Sequence, residues 1–235
     1  MKIYDYSFKS PEENLACDEA LLDERESSGG GGVLRFWSSP VPFAVLGYSN
    51  AWKSEVKNTR NLRVLRRASG GGTVLQGPGC LNYALILKSS FSGPLEHIRS
   101  TNEYIMARQC RALSGLLGKG VQVQGHTDLT LGMLKFSGNS QRRKKTHILF
   151  HGTFLLDFDL ALIGRFLKTP PKQPAYRDNR PHAKFVTNLG LSEKSVKEAL
   201  RKEWNATETL KKIPSDRISK LVEERYSRDE WNFKF

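Results

Sequence analysis

Residues 65–87, LRRASGGGTVLQGPGCLNYALIL, decide how the rest of the chain is read. Two adjacent cations, Arg66 and Arg67, run into the triple glycine Gly70, Gly71 and Gly72, and two more glycines flank Pro78 before an apolar run resumes. Glycine has no side chain and accepts backbone angles closed to other residues, so a bulky anion can lie directly on its amides. Side chains alternate along an extended backbone, so Arg66 and Arg67 point to opposite faces and only one of them reaches a ligand. Thr73-Val74-Leu75 and residues 81–87 read as strands, which makes the expected geometry a hairpin whose turn covers an acyl or phosphate group. No Gly-Lys-Ser or Gly-Lys-Thr follows at the Walker spacing and no G-x-G-x-x-G opens a helix, so the two familiar phosphate loops are set aside. A Gly-rich turn with two solvated arginines is the competing reading.

Outward from this loop the pattern is strand-rich early and helical late. Residues 2–8 read as a strand. Ser10, Pro11 and Glu13 then form a capping box for a helix with a buried stripe of Cys17, Ala20 and Leu21. Residues 33–37 and 43–48 are strands joined by the Pro40 and Pro42 turn, and residues 62–66 lead into the glycines. Met106, Cys110, Leu113 and Leu117 recur at helical spacing from about residue 102, closed by Gly118 and Gly120. Residues 121–124, 129–131 and 148–158 supply further strands, with Lys135 near the turn between two of them. Residues 160–168, 192–205 and 215–226 follow as helices. This order predicts an α+β fold with a mixed, largely antiparallel sheet. With neither an internal repeat nor a dividing linker, residues 1–235 are expected to form one domain.

Composition excludes several classes. With 38% hydrophobic and 26% charged residues the chain is neither disordered nor fibrous. No apolar run approaches the roughly 20 residues of a membrane span, and the N-terminus lacks a signal-peptide core, so a cytoplasmic location and no membrane partner are expected. Cys17, Cys80 and Cys110 are too far apart for a zinc site and odd in number, which leaves them as small thiols. The net charge of +13 favours acidic partners. Arg142-Arg143-Lys144-Lys145 suits a nucleic-acid backbone, but no aromatic residues are interleaved and no nucleic-acid motif accompanies it. A solvated basic hairpin tip is the alternative for this run.

The glycine loop also carries a resemblance. Arg66 to Val74, followed by Leu81-Asn82-Tyr83, is similar to the signature loop of the lipoate-protein ligase and octanoyltransferase family. Lys135-Phe136-Ser137-Gly138-Asn139-Ser140-Gln141-Arg142 and His151-Gly152-Thr153 match two further motifs, with weaker echoes at Asn14-Leu15-Ala16 and Thr187-Asn188-Leu189. The resemblance implies the biotin/lipoate protein ligase fold, related to class II aminoacyl-tRNA synthetases, a sheet with helices on its outer face. It implies Lys135 as the catalytic residue, stabilising negative charge that grows on acyl and phosphate oxygens. It also implies that Arg67 holds a phosphate or carbonyl oxygen, and that Ser69, Gly70, Gly71, Gly72, Thr73, Val74 and Leu75 shape the acyl and phosphate pocket. Asn82, Ser137, Gly138, His151 and Gly152 are lesser candidates. Asp128 is the candidate ligand for a magnesium ion accompanying ATP, against a plain solvated loop aspartate. Ser69 and Ser137 show no paired base, which gives a serine nucleophile no support.

The activity so implied is lipoate activation with ATP to lipoyl-AMP, then transfer to a lysine of an acidic lipoyl domain, from a 2-oxoacid dehydrogenase or a glycine-cleavage-type carrier protein. Octanoate is the other candidate acyl substrate. The alternatives are an octanoyl or lipoyl transferase using an acyl carrier protein or preformed acyl adenylate, and a basic nucleic-acid-binding module. Octanoyltransferases use a cysteine, in one branch just before the lysine motif. Residues 124–128 here contain none, which favours the adenylate route. Phe150 replaces the first residue of the family's His-His-Gly. The chain stops soon after Trp231-Asn232-Phe233, so the accessory domain of many bacterial ligases is expected to be absent and a separate accessory chain becomes a candidate partner.

Overall fold

The computed structural model describes residues 1–57, 59–89 and 92–235. In chain order the strands are β1 (Lys2–Asp5), β2 (Val33–Trp37), β3 (Phe43–Leu46), β4 (Arg63–Arg66), β5 (Val74–Gln76), β6 (Cys80–Lys88), β7 (Gln122–Gln124), β8 (Asp128–Leu131), β9 (Leu134–Arg143), β10 (His147–Leu155) and β11 (Glu208–Thr209). The helices are α1 (Pro11–Ser28), α2 (Trp52–Glu55), α3 (Ile98–Leu117), α4 (Leu160–Phe166), α5 (Glu193–Glu203), α6 (Ser215–Leu221) and α7 (Asp229–Asn232).

The described residues form an eight-stranded sheet in the order β11-β1-β2-β6-β10-β9-β8-β7 and a three-stranded sheet in the order β4-β3-β5. Only β1, which pairs with β2 and β11, is parallel to its neighbours in the large sheet; the rest is antiparallel. The fold class is therefore the α+β arrangement expected. On one face of the large sheet Phe36, Tyr83, Phe150 and Phe154 pack against Ile105, Met106 and Leu113 of α3 and against Val196 and Leu200 of α5. On the other, Trp37, Ala84 and Leu149 meet Leu15, Cys17, Ala20 and Leu21 of α1, together with Phe43, Val45 and Leu65 of the small sheet. Helices thus cover both faces, because the alternating residues of β2, β6 and β10 are apolar in both directions.

Local signals explain most elements. Ser10 Oγ accepts a hydrogen bond from the Glu13 amide and the Glu13 carboxylate accepts one from the Ser10 amide, the capping box that opens α1. Helix α3 begins at Ile98, earlier than its apolar periodicity suggests, because His97 and Ser100 cap it. The four-residue α2 has no periodicity to betray it.

The expected hairpin through the glycine loop is not formed. Strand β3 lies between β4 and β5, so the loop at residues 67–73 carries the chain across its end. Strands β5 and β6 lie in different sheets, and the Gly77-Pro78-Gly79 turn passes the chain between them. Gly79 is required there: its φ is +86°, and a Cβ would lie 2.1 Å from the Asp157 carbonyl oxygen. No helix among the described residues is long and apolar enough to cross a membrane.

Candidate functional site

The two loop arginines part ways as their alternation requires. Arg66 turns toward the C-terminal segment and is fully buried. Its guanidinium donates to the carbonyls of Gly47, Tyr48, Asn50, Trp231 and Asn232, while Trp231 Nε1 donates back to the Arg66 carbonyl. Arg67 turns inward. Its guanidinium donates to the carbonyls of Val45 (3.1 Å), Gly70 (2.6 Å) and Gly72 (2.8 Å) and to Ser69 Oγ (3.1 Å). Burial lowers its pKa to about 10, opposed by the charge of Glu55. The expected ligand-holding guanidinium is thus occupied in bracing its own loop. It lines the cavity below while shaping the backbone above.

The glycines have separate reasons. Gly47, at the end of β3, supports the loop from beneath: a Cβ there would lie 1.9 Å from the Gly71 carbonyl oxygen. Gly71 has φ +90°. From the far side Ser140 Oγ of β9 donates to the Gly70 carbonyl at 2.8 Å.

Two cavities open beneath this loop. The smaller, about 130 Å³, runs between the two sheets, walled by Leu15, Trp37 and Val45 and by the polar groups of Asp18, Gln76, Asn82, His151 and Thr153. The larger, about 880 Å³, is a cleft between the glycine loop, β9 and residues 163–186. Lys135, Lys168, Lys172 and Arg177 give it a cationic lining. His182 also faces it, and burial, with Arg177, Lys57 and Lys135 nearby, outweighs the Lys168 carbonyl and keeps its pKa low. The cavities share Gly72, Thr73, Val74, Asp128, Lys135, Gly138, Asn139, Ser140 and Thr153.

Lys135 sits at this junction because both sides of its backbone are fixed. Its amide donates to the Phe185 carbonyl and its carbonyl accepts from the Thr187 amide. Its ammonium lies 2.8 Å from Asp128 Oδ1, and Asp128 Oδ2 accepts the Tyr176 hydroxyl at 2.7 Å. Gly138 leaves room for the ammonium: a Cβ there would stand 3.0 Å from Lys135 Nζ. Asp128 is therefore neither a loop residue nor solvated. It belongs to β8, with its side chain 15% exposed. Among the described residues no group of three or more His, Cys, Asp or Glu side chains surrounds it. A lone carboxylate completes a magnesium site only together with substrate phosphates and water, so Asp128 could at most share an ion that the nucleotide brings.

Ser69, read from the sequence as lacking a base, has one in the fold. Its Oγ lies 2.6 Å from His151 Nε2, and His151 Nδ1 lies 3.5 Å from Asp18 Oδ2. Arg67 Nε also donates to Ser69 Oγ, so the hydroxyl is held between the guanidinium and the imidazole. Burial would raise the Asp18 carboxyl, but Arg35, to which it is ion-paired, and His151 hold it below the usual range. Ser69 is only 2% exposed and lines neither cavity, so the chain Ser69–His151–Asp18–Arg35 is a brace and supplies no nucleophile.

Of the residues singled out in the sequence, Ser69 and Gly70 lie outside the lining of both cavities. Gly71 and Leu75 line the cleft, as does Ser137, whose Oγ contacts Asn139. His151 and Gly152 line the smaller cavity, beside Asn82, whose Oδ1 accepts from Thr153 Oγ1 at 2.6 Å. Gly152 is fixed by crowding, since a Cβ would lie 1.8 Å from Asn139 Oδ1. Sequence reasoning missed Asp18, Trp37, Gln76 and Tyr176. Asn139 and Ser140 stand inside the lysine motif and carried that signal.

The chain matches the model of the lipoyl protein ligase A/B catalytic domain over residues 10–204. It is 27% identical to a probable lipoate-protein ligase A of Mycoplasma pneumoniae, over 94% of this chain and 67% of that protein. It is 28% identical to lipoate–protein ligase 1 of Staphylococcus aureus, over 63% of this chain and 44% of that one. Among solved structures, lipoate-protein ligase A bound with ATP superposes with a TM-score of 0.83 at 22% identity, covering 99% of this chain and 98% of that one. A structure from a study of a bi-partite lipoate protein ligase and its E2 lipoyl domain from Thermoplasma acidophilum gives 0.83 at 22% identity, covering 99% and 95%.

Proposed function

The chain belongs to the lipoyl protein ligase A/B catalytic-domain family, and from that premise we propose that it activates lipoate with ATP to lipoyl-AMP and passes the lipoyl group to a lysine of a lipoyl domain. The observation that carries this reading is the junction at Lys135. A narrow pocket between the sheets, suited to a medium-length acyl chain, and a broad cleft that carries Lys168, Lys172 and Arg177, cations suited to a polyphosphate, on a largely apolar wall meet beneath one glycine loop. The acyl carboxylate lies at the junction and attacks the α-phosphorus of ATP; pyrophosphate leaves. Lys135 turns from Asp128 onto the oxygens that gain charge. A magnesium ion enters as part of the ATP substrate, on its phosphates. The Ser69–His151–Asp18 brace and Arg67 hold the pocket wall and the loop at fixed separation, so little reorganisation is needed as charge develops.

The cysteine-dependent alternative finds no nucleophile. Cys17 and Cys80 are buried and their thiols are pushed up to about 12 by burial, burial also raises the Cys110 thiol, and none of the three lines either cavity. The nucleic-acid alternative loses its basic run. Arg142 donates to the Ala68 carbonyl, Arg143 to Thr101 Oγ1 and to the carbonyls of Leu95 and Glu96, and Lys144 pairs with Asp23, which leaves Lys145 exposed at the hairpin tip.

Residues 1–235 act on this reading as one catalytic domain in the cytoplasm. An acidic lipoyl domain is the partner, drawn by the +13 charge. The test is lipoate-dependent release of pyrophosphate from ATP, followed by lipoylation of a lipoyl domain. Lipoylation without ATP dependence, even with an accessory chain supplied, overturns the ligase reading in favour of direct acyl transfer.

A further inference from the structure

Asp128 already binds an ammonium in this structure, that of Lys135, and the Tyr176 hydroxyl holds its second oxygen. The function proposed above, on which this inference rests, brings two ammonium groups to the same point in turn. Lys135 must leave Asp128 for the oxygens of the acyl phosphate, and the target lysine must then bring its nitrogen to the acyl carbonyl. When Lys135 leaves, a carboxylate whose side chain is 15% exposed loses its counter-ion, and so little solvent contact makes an unpaired charge costly.

The other acids lining the two cavities cannot take the incoming cation. Asp18 is locked to Arg35 in the smaller pocket. Glu55 lines only the larger cleft, and Thr73 already donates to its carboxylate. Asp128 alone among these acids lines both cavities, and so stands where the acyl carbonyl and the phosphate meet. We propose that Asp128 is the receiving site for the ammonium of the target lysine, accepting it in exchange for Lys135 and setting its nitrogen against the acyl carbonyl. The lysine then gives one proton to water and its nitrogen forms the C–N bond. The acyl C–O bond of the mixed anhydride breaks, AMP departs with the bridging oxygen and that electron pair, and the second proton leaves the nitrogen for water as the amide forms.

The test compares two nucleophiles on enzyme supplied with lipoate and ATP: a lipoyl domain, whose lysine arrives charged, and hydroxylamine, which is uncharged at neutral pH and needs no carboxylate to receive it. Hydroxamate formation by the unsubstituted enzyme tests the ligase reading by itself; its absence sinks that reading and not this one alone. Asp128→Asn is expected to lower the ratio of lipoyl-domain transfer to hydroxamate formation roughly 10- to 100-fold, the loss of one charge-assisted hydrogen bond to the arriving lysine, whatever it does to activation itself. Equal losses with both nucleophiles would make Asp128 a positioning residue for Lys135 and overturn the proposal, as would undiminished lysine transfer. Tyr176→Phe keeps the carboxylate and is expected to leave the ratio of the two rates unchanged. A fall matching that of Asp128→Asn would trace the effect to geometry and equally overturn it. Should Asp128→Asn melt below the assay temperature, Asp128→Ser removes the same charge with less bulk and carries the same comparison.

Discussion

Substituting Gly47 by alanine tests the idea that the glycine loop is set from beneath. Gly47 lines neither cavity, yet the added Cβ would lie 1.9 Å from the Gly71 carbonyl oxygen and 3.0 Å from its carbon, where real contacts begin near 3.0 Å. One partner must retreat by roughly 1 Å. Gly47 is the better anchored of the two: its carbonyl accepts from Arg66 Nη1 and from the Asn50 amide, and the adjacent Leu46 carbonyl accepts from the Arg67 amide. Gly71 is an exposed loop residue with φ +90°, so the loop tip moves. Overpacking of this kind costs about 1–3 kcal/mol of stability. A displacement of about 1 Å in groups that position a reacting centre costs on the order of 100-fold in rate. The readouts are lipoyl-AMP formation, trapped as the hydroxamate, and a thermal melt. Gly70→Ala is the control, because its added Cβ meets nothing within 4 Å; it is expected to remain near the parent activity. A folded Gly47→Ala enzyme within about threefold of the parent kcat/KM would refute the reasoning.

Lys135→Ala is expected to lower transfer to a lipoyl domain by roughly 100- to 1000-fold or more, as removal of a charge-stabilising donor does. The variant should still fold and melt cooperatively, at a lowered temperature because Asp128 loses its counter-ion and keeps only the Tyr176 hydroxyl; retained transfer would remove Lys135 from its role. Asp18→Asn leaves Arg35 buried without its counter-ion and should destabilise the fold by about 3–5 kcal/mol, read from denaturant melts. The sign with pH follows from the lowered pKa of Asp18. The pair stabilises the fold above the ordinary aspartate pKa of about 3.9, and that contribution disappears as pH falls through the depressed value, so the difference between parent and variant should shrink on the acid limb. An unchanged difference at acid pH would contradict this. Gly115→Ala, within α3 and with open space at its Cβ, should gain about 0.5–1 kcal/mol, or about 2–3 °C in Tm. No gain would mean that the space around residue 115 is occupied.

The strands and helices that follow short-range rules were legible in the chain. The capping box at Ser10 and Glu13, the helical spacing from Met106 to Leu117 and the alternation of Arg66 and Arg67 each involve residues close in sequence, and each appears in the fold. The motif around Lys135 was also legible, since the glycine at 138 that makes room for the ammonium lies only three residues away.

What no local pattern contained is which distant groups share a cavity. Ser69 and His151 are 82 residues apart, and His151 and Asp18 are 133 apart, yet they form one hydrogen-bonded chain. The direction of each loop arginine depended on what packs on either side of β4: the C-terminal segment took Arg66, and the cavity side took Arg67. The hairpin expectation failed for the same reason, because β3 was free to pair with both β4 and β5 and so separated them. Backbone angles, caps and side-chain periods are settled by neighbours within a turn or two of chain, and a sequence displays them directly. Charge pairing at Asp128, the brace at Ser69 and the meeting of two cavities are settled by how sheets and helices pack, and that is decided only when the whole chain has folded.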